Sequence, residues 1–263
     1  TYFVKNHLGN TLKSAGHDVK ILGYDQNRGN DLEKWADVMF ENEASSRYFD
    51  GTAIHWYAST YDIFAKSLQL THKAAPGKYI IQTEACVDAE GPRWKDDKWY
   101  WTKEATDWGW DWAPEKDKYL HPQYVPVFRY ANDIIGCLNN WVNGWIDWNM
   151  VLDKQGGPNW FKNWCLAPVI VDPENDEVYF TPLYNVMTHF SKFIRPGATR
   201  IGFKNTDKQL MVTAAQNPDG SIVVVLLNQQ PTPKTFTLKL QKKETKIDIN
   251  GESLQSIIIY PAK

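Results

Sequence analysis

The residue best placed for chemistry is Glu84, which closes the run Tyr79-Ile80-Ile81-Gln82-Thr83-Glu84 and is followed by Ala85-Cys86. An apolar run of this length reads as a strand, so its last residue projects from the carboxyl end of a sheet. A carboxylate held there among aromatic rings suits a nucleophile that attacks a sugar carbon and then leaves. A strand-end glutamate also serves commonly as a salt-bridge partner, and the company it keeps separates the two readings. Asp25 and Arg28 end one strand, His55-Trp56-Tyr57 end the next, and Asp147-Trp148-Asn149 end a fourth. Polar and aromatic groups therefore converge on one rim, which packing alone does not require. There Tyr57 is expected to hydrogen-bond Glu84, and Trp56 or Trp148 to floor a sugar subsite.

The elements that must position these residues follow from hydrophobic spacing. Tyr2 to Ala15 reads as an amphipathic helix with Phe3, Val4, Leu8 and Leu12 on one face and Gly16 as its stop. Strands are expected at Val19 to Tyr24, Gly51 to Tyr57, Tyr79 to Glu84 and Gly144 to Asn149, with helices at Leu32 to Phe40, Thr60 to His72 and Tyr124 to Val142. Strands that alternate with helices at crossover spacing predict parallel βα units, which place an active site at the carboxyl ends of the strands. Between them, at about 88–123, runs a Trp-rich segment too long for an ordinary turn. Its Trp94, Trp99, Trp101, Trp108, Trp110 and Trp112 would either form a stacking platform or fasten the segment to the barrel.

After Arg195-Pro196-Gly197 the pattern changes to short strands at Leu210 to Ala215, Ser221 to Asn228, Lys234 to Leu240 and Ser256 to Tyr260, punctuated by Asn217-Pro218-Asp219-Gly220 and Asn250-Gly251. The expected organisation is α/β plus β: a partial barrel over 1–195, then a small antiparallel β-sandwich over 196–263 that acts as structural support.

Composition narrows the ligand. Of 263 residues, 14% are aromatic and 13 are Trp, a side chain suited to stacking on pyranose faces, so carbohydrate is the first ligand class to consider. A net charge of -2 with interspersed signs leaves no basic face for nucleic acid. Three widely spaced cysteines, Cys86, Cys137 and Cys165, encode neither a zinc cage nor a disulfide scaffold, and at most one bridge. No stretch reaches about 18 apolar residues, so no transmembrane segment is expected. There is no Gly-rich phosphate loop, no metal-ligand spacing and no Gly-x-Ser-x-Gly turn, so no cofactor and no metal are expected.

The strings His55-Trp56-Tyr57, Gln82 to Val87, Gly144 to Asn149, Gly156-Gly157-Pro158-Asn159-Trp160, Pro168 to Asp172 and His189 to Gly197 occur in this order. Together they closely resemble the glucosylceramidase-like enzymes of glycoside hydrolase family 30, from about Tyr2 to near the C-terminus. The resemblance implies a (β/α)8 TIM-type barrel with an attached β-sandwich and a configuration-retaining reaction through a glycosyl-enzyme ester. It places the nucleophile on Glu84. His55, Trp56 and Tyr57 match the string after the sixth barrel strand, and Asp147, Trp148 and Asn149 match the end of the eighth, whose Trp lines the sugar site. Asn159 matches an Asn near the pocket entrance. Asp25 to Arg28 resembles the family's Asp-Gln-Arg turn with one residue added. These nine residues, with Glu84, are the candidate site.

The family's acid/base, the Glu of an Asn-Glu-Pro string after the fourth strand, has no counterpart here, so the matched part is the C-terminal half of the barrel, strands five to eight. Asn42-Glu43 is a poor substitute, lying in a helix-to-strand connection. An isolated half-barrel exposes two sheet edges, so a partner is expected: the missing N-terminal half or a second copy, with Asp25 as a stand-in acid in the second case. The leading reading is a retaining β-glycosidase acting on β-glucosides or glucans. The alternative is a carbohydrate-binding or assembly subunit with little turnover. The family's usual settings point to a secreted or periplasmic protein.

Overall fold

The computed structural model describes residues 1–29, 31–59, 62–88, 125–159 and 165–261. The chain forms two compact units, the first from residues 1–85 and 136–148, the second from 86–135 and 149–263.

The first unit is built on a parallel sheet of β1 (Leu22–Asn27), β2 (Gly51–His55), β3 (Tyr79–Glu84) and the short strand Gly144–Trp145, in that order. Helices cover it because their apolar residues recur every turn. Leu32, Ala36 and Met39 are the buried residues of the helix Leu32–Phe40, and Leu68 lies on the buried side of Ala65–Ala74. Leu32 and Leu68 pack with Ile54 of β2, Ile80 of β3, Cys137 and Val142 into one core cluster. The N-terminal helix enters through a π-helical turn, Val4–Leu8, before the α-helix Gly9–Ser14, and Gly16 leaves it at φ +74°. Gly51 is required where it stands, since a Cβ there would meet the backbone carbonyl of Tyr79 on the paired strand.

Several expected boundaries move. The first strand starts at Leu22 and continues through Asp25 to Asn27, because the ladder to β2 carries on past the apolar residues. The fourth strand ends at Trp145 rather than Asn149, and the helix before it runs from Val125 to Asn139.

In the second unit, Val87–Asp88 pairs antiparallel with Cys165–Leu166, and Val151–Asp153 runs parallel to Val169–Asp172, which pairs antiparallel with Glu177–Phe180. After the helix Pro182–Ser191 comes a four-stranded antiparallel sheet, ordered Thr199–Arg200, Leu210–Gln216, Ile222–Asn228 and Ser253–Ile259. The hairpin Lys234–Leu240 and Lys243–Ile249 supplies Ile249 and Phe236 to the core of Leu210, Ala214, Val224 and Leu226. Asn217 fastens the turn at its side chain, accepting from Arg195 N and donating to the Phe193 carbonyl, both at 2.9 Å. Among the described residues no helix is long and apolar enough to cross a membrane.

Candidate active site

The parallel ladders bring the strand ends into register: Asn27 pairs with His55, and His55 pairs with Glu84. Each ladder skips one residue just before this point. Between β1 and β2 the register jumps from Tyr24 to Gln26, so Asp25 is bulged out. Between β2 and β3 it passes from Ile54–Gln82 to His55–Glu84, so Thr83 is bulged out. Bulges re-aim side chains next to sites of chemistry. The first of these carries backbone strain, with Tyr24 at φ 78° and Asp25 at φ 54°, a region that residues other than Gly seldom occupy.

The bulged residues meet over His55. His55 Nε2 lies 3.0 Å from Asp25 Oδ1, and Thr83 Oγ1 donates to the same oxygen at 2.9 Å. The same Nε2 lies 3.8 Å from Glu84 Oε2. One imidazole nitrogen therefore lies near two carboxylates. Side-chain exposure falls from 67% at Asp25 to 25% at Glu84 and 13% at His55, so the imidazole is the shielded member and both carboxylates reach solvent. Below them Gln82, fully buried, donates Nε2 to the Glu84 carbonyl at 2.6 Å and fixes the backbone from which Glu84 projects.

Tyr57 is held toward β1 at its backbone. Its backbone N–H donates to Asn27 Oδ1 at 2.9 Å, which turns the chain toward β1, and its ring stands edge-on to His55 at 6.2 Å and 87°.

Arg28 and Trp56 lie beneath the rim, both 0% exposed. Arg28 donates Nη1 to Cys137 Sγ at 2.6 Å, and Trp56 packs edge-on against Trp145 at 6.2 Å. Side chains alternate faces at strand ends, so with His55 on the rim Trp56 turns inward. Neither residue offers a surface to a ligand in this arrangement. Trp148 does: it is 57% exposed, and its backbone N–H donates to the Ala85 carbonyl at 3.0 Å, which holds it alongside the chain just past Glu84. Asp147 is half-buried in the same unit.

Asn149 and Asn159 belong to the second unit; Asn159 is exposed and donates Nδ2 to the Gly156 carbonyl at 3.0 Å. Asn42 caps the short helix Glu43–Ser46 by accepting from Ser45 N at 3.0 Å, and Glu43 is exposed there. Trp94, Trp99, Trp101, Trp108, Trp110 and Trp112 lie outside the described residues. Among the described residues no group of three or more His, Cys, Asp or Glu is arranged to hold a metal ion.

Thr83 carries no distinguishing mark in the sequence. It sits inside an apolar strand, and only the ladder reveals that it is the skipped residue.

This geometry has counterparts. A family model described as the glycosyl hydrolase family 30 TIM-barrel domain matches residues 1–194, and one described as the family 30 beta sandwich domain matches 197–257. Putative glucosylceramidase 2 of Caenorhabditis elegans is 38% identical over 248 residues, 92% of this chain and 43% of that protein. Lysosomal acid glucosylceramidase of Mus musculus is 32% identical over 237 residues, 90% of this chain and 41% of that protein. The chain thus spans less than half the length of either relative. The crystal structure of SrfJ from Salmonella typhimurium superposes with a TM-score of 0.81 at 25% identity, covering 99% of this chain and 52% of that one.

Proposed function

Because the chain belongs to glycosyl hydrolase family 30, we propose that it is the C-terminal part of a retaining β-glycosidase in which Glu84 is the nucleophile. The observation that carries this reading is the placement of Glu84 at the carboxyl end of a parallel strand, one quarter exposed, with His55 Nε2 at 3.8 Å.

In the proposed reaction a Glu84 carboxylate oxygen forms a bond to the anomeric carbon of a β-linked sugar as the bond from that carbon to the aglycone oxygen breaks. A second carboxylic acid, roughly 5–5.5 Å from the first in retaining enzymes, gives its proton to the leaving oxygen. The same group then takes a proton from the water that hydrolyses the glycosyl ester. Glu84 leaves as a carboxylate, and two inversions at carbon give net retention. We assign the second carboxylate to the N-terminal half of the barrel, either another part of the same protein or a separate chain, since this chain covers only 43% and 41% of the length of these relatives.

His55 and Asp25 act in this scheme by position. Asp25, with Thr83 on the same oxygen, fixes the imidazole, which stands beside Glu84. Trp148 offers an exposed ring to a pyranose face. Asp147 and Tyr57 complete the proposed sugar-binding set within this unit, and Asn149 and Asn159 are proposed from the sequence resemblance alone. The substrate class we propose is β-glucosides or β-glucans. The mouse relative is named for the lysosome, and an exported or lumenal setting, secreted or periplasmic, is the one proposed here.

Glu84→Gln in the protein that carries this chain tests the assignment. Loss of β-glucoside hydrolysis on the order of a thousandfold or more, with sugar binding retained, is the expected result. Turnover that survives the substitution would assign the nucleophile elsewhere.

A further inference from the structure

Cys86 and Cys165 stand apart from the rim chemistry. Each is 4% exposed, and their sulfurs are 4.0 Å apart although 79 residues separate them in sequence. The antiparallel ladder that joins them sets Val87 opposite Leu166 and Asp88 opposite Cys165. Side chains alternate faces along a strand, so Cys86 lies on the same face as Cys165, one diagonal step away. Each strand of this ladder is two residues long, so few backbone hydrogen bonds hold it. Cys137, also buried, is engaged by Arg28 in the other compact unit and serves as an internal control.

We propose that Cys86 and Cys165 are a disulfide site, closed by a low-molecular-weight disulfide such as oxidised glutathione, that staples the chain just after Glu84 to the strand Cys165–Leu166. The inference does not depend on Glu84 being a nucleophile. In the first step one thiol loses its proton, and its thiolate attacks the glutathione disulfide to give a mixed disulfide and one glutathione thiolate. The second cysteine then loses its proton, attacks the protein sulfur of the mixed disulfide and releases the second glutathione thiolate. Two protein thiols are oxidised and one glutathione disulfide is reduced to two thiols. A protein disulfide spans about 2.05 Å, so the sulfurs must approach by about 2 Å. The loop closed is 79 residues long, and a tie across so long a loop restricts the unfolded chain strongly.

The test uses the full protein, incubated in parallel with oxidised glutathione and with dithiothreitol, alkylated under denaturing conditions and digested without reduction. Mass spectrometry of the oxidised sample is expected to show the Cys86 and Cys165 peptides linked, two hydrogen masses below their sum, with Cys137 alkylated. The oxidised form is expected to melt higher by on the order of 10 °C. Cys86→Ser and Cys165→Ser should each abolish both the linked peptide and this increment. Alkylation of Cys86 and Cys165 after oxidation, glutathione adducts on them without a link, or a link that involves Cys137 would overturn the proposal. If either variant fails to fold, the peptide map of the unsubstituted protein decides alone.

Discussion

Thr83 and Asp25 come from strands that do not pair with each other, yet Thr83 Oγ1 donates to Asp25 Oδ1 at 2.9 Å. Each is the residue its ladder to β2 skips, and the two reach across that strand to meet above His55. The bulges convert two backbone irregularities into one side-chain network, and Asp25 is its hub.

If Thr83 acts through Asp25, substitutions at the two positions are not independent. Asp25→Ala is expected to lower kcat by ~10- to 100-fold by releasing His55, and Thr83→Val by less. The double variant should fall no further than Asp25→Ala alone. Steady-state kinetics on the four proteins checks this. Losses that multiply would mean that Thr83 has a role of its own.

Two tryptophans of the candidate set, one exposed and one beneath the rim, should behave oppositely. Trp148→Ala removes an exposed ring, so KM for a β-glucoside is expected to rise ~5- to 10-fold while stability changes by less than about 0.5 kcal/mol. Trp56→Ala opens a cavity where the ring is fully buried and is expected to cost ~3–5 kcal/mol. Denaturant unfolding and kinetics, measured together, separate the two outcomes.

Acid should weaken the contact between the helix Pro182–Ser191 and the strand Ser253–Ile259. His189 Nδ1 lies 2.9 Å from Ser256 Oγ, and burial pushes the imidazole below its ordinary value of 6.5. The unfolded state therefore binds this proton more readily than the folded state does. As pH falls through 6.5 toward the lower folded value, stability is lost; above 6.5 this group makes no difference. Melting temperatures across pH 8 to 5 should fall less steeply for His189→Gln than for the unsubstituted protein.

Much of the first unit was legible because burial leaves a periodic mark. Tyr79-Ile80-Ile81-Gln82-Thr83-Glu84 is a strand over the range its composition suggests, and Leu32 to Phe40 is a helix over its whole expected length. The continuation of β1 through Asp25-Gln26-Asn27 was not legible, because a parallel ladder is made by backbone groups and does not need apolar side chains. Lys243–Ile249 is not legible as a strand because its residues are mostly polar and exposed. At the site, types were readable and partners were not. Glu84, His55 and Asp25 stand out as chemistry-bearing residues at strand ends. The grouping of His55, Asp25 and Thr83 beside Glu84 depends on register shifts and on contacts between residues 30 and 58 apart in the chain.

The central claim is that Glu84 is the nucleophile, and covalent trapping tests it most directly. A 2-deoxy-2-fluoro-β-glucosyl donor with a good leaving group needs little acid assistance, so it reports on the nucleophile apart from the acid/base. Peptide mass spectrometry after incubation should place one fluoroglucosyl ester on Glu84, with none on Asp25 or Asp147. A label on another carboxylate, or none in a folded protein that binds the sugar, would contradict the account.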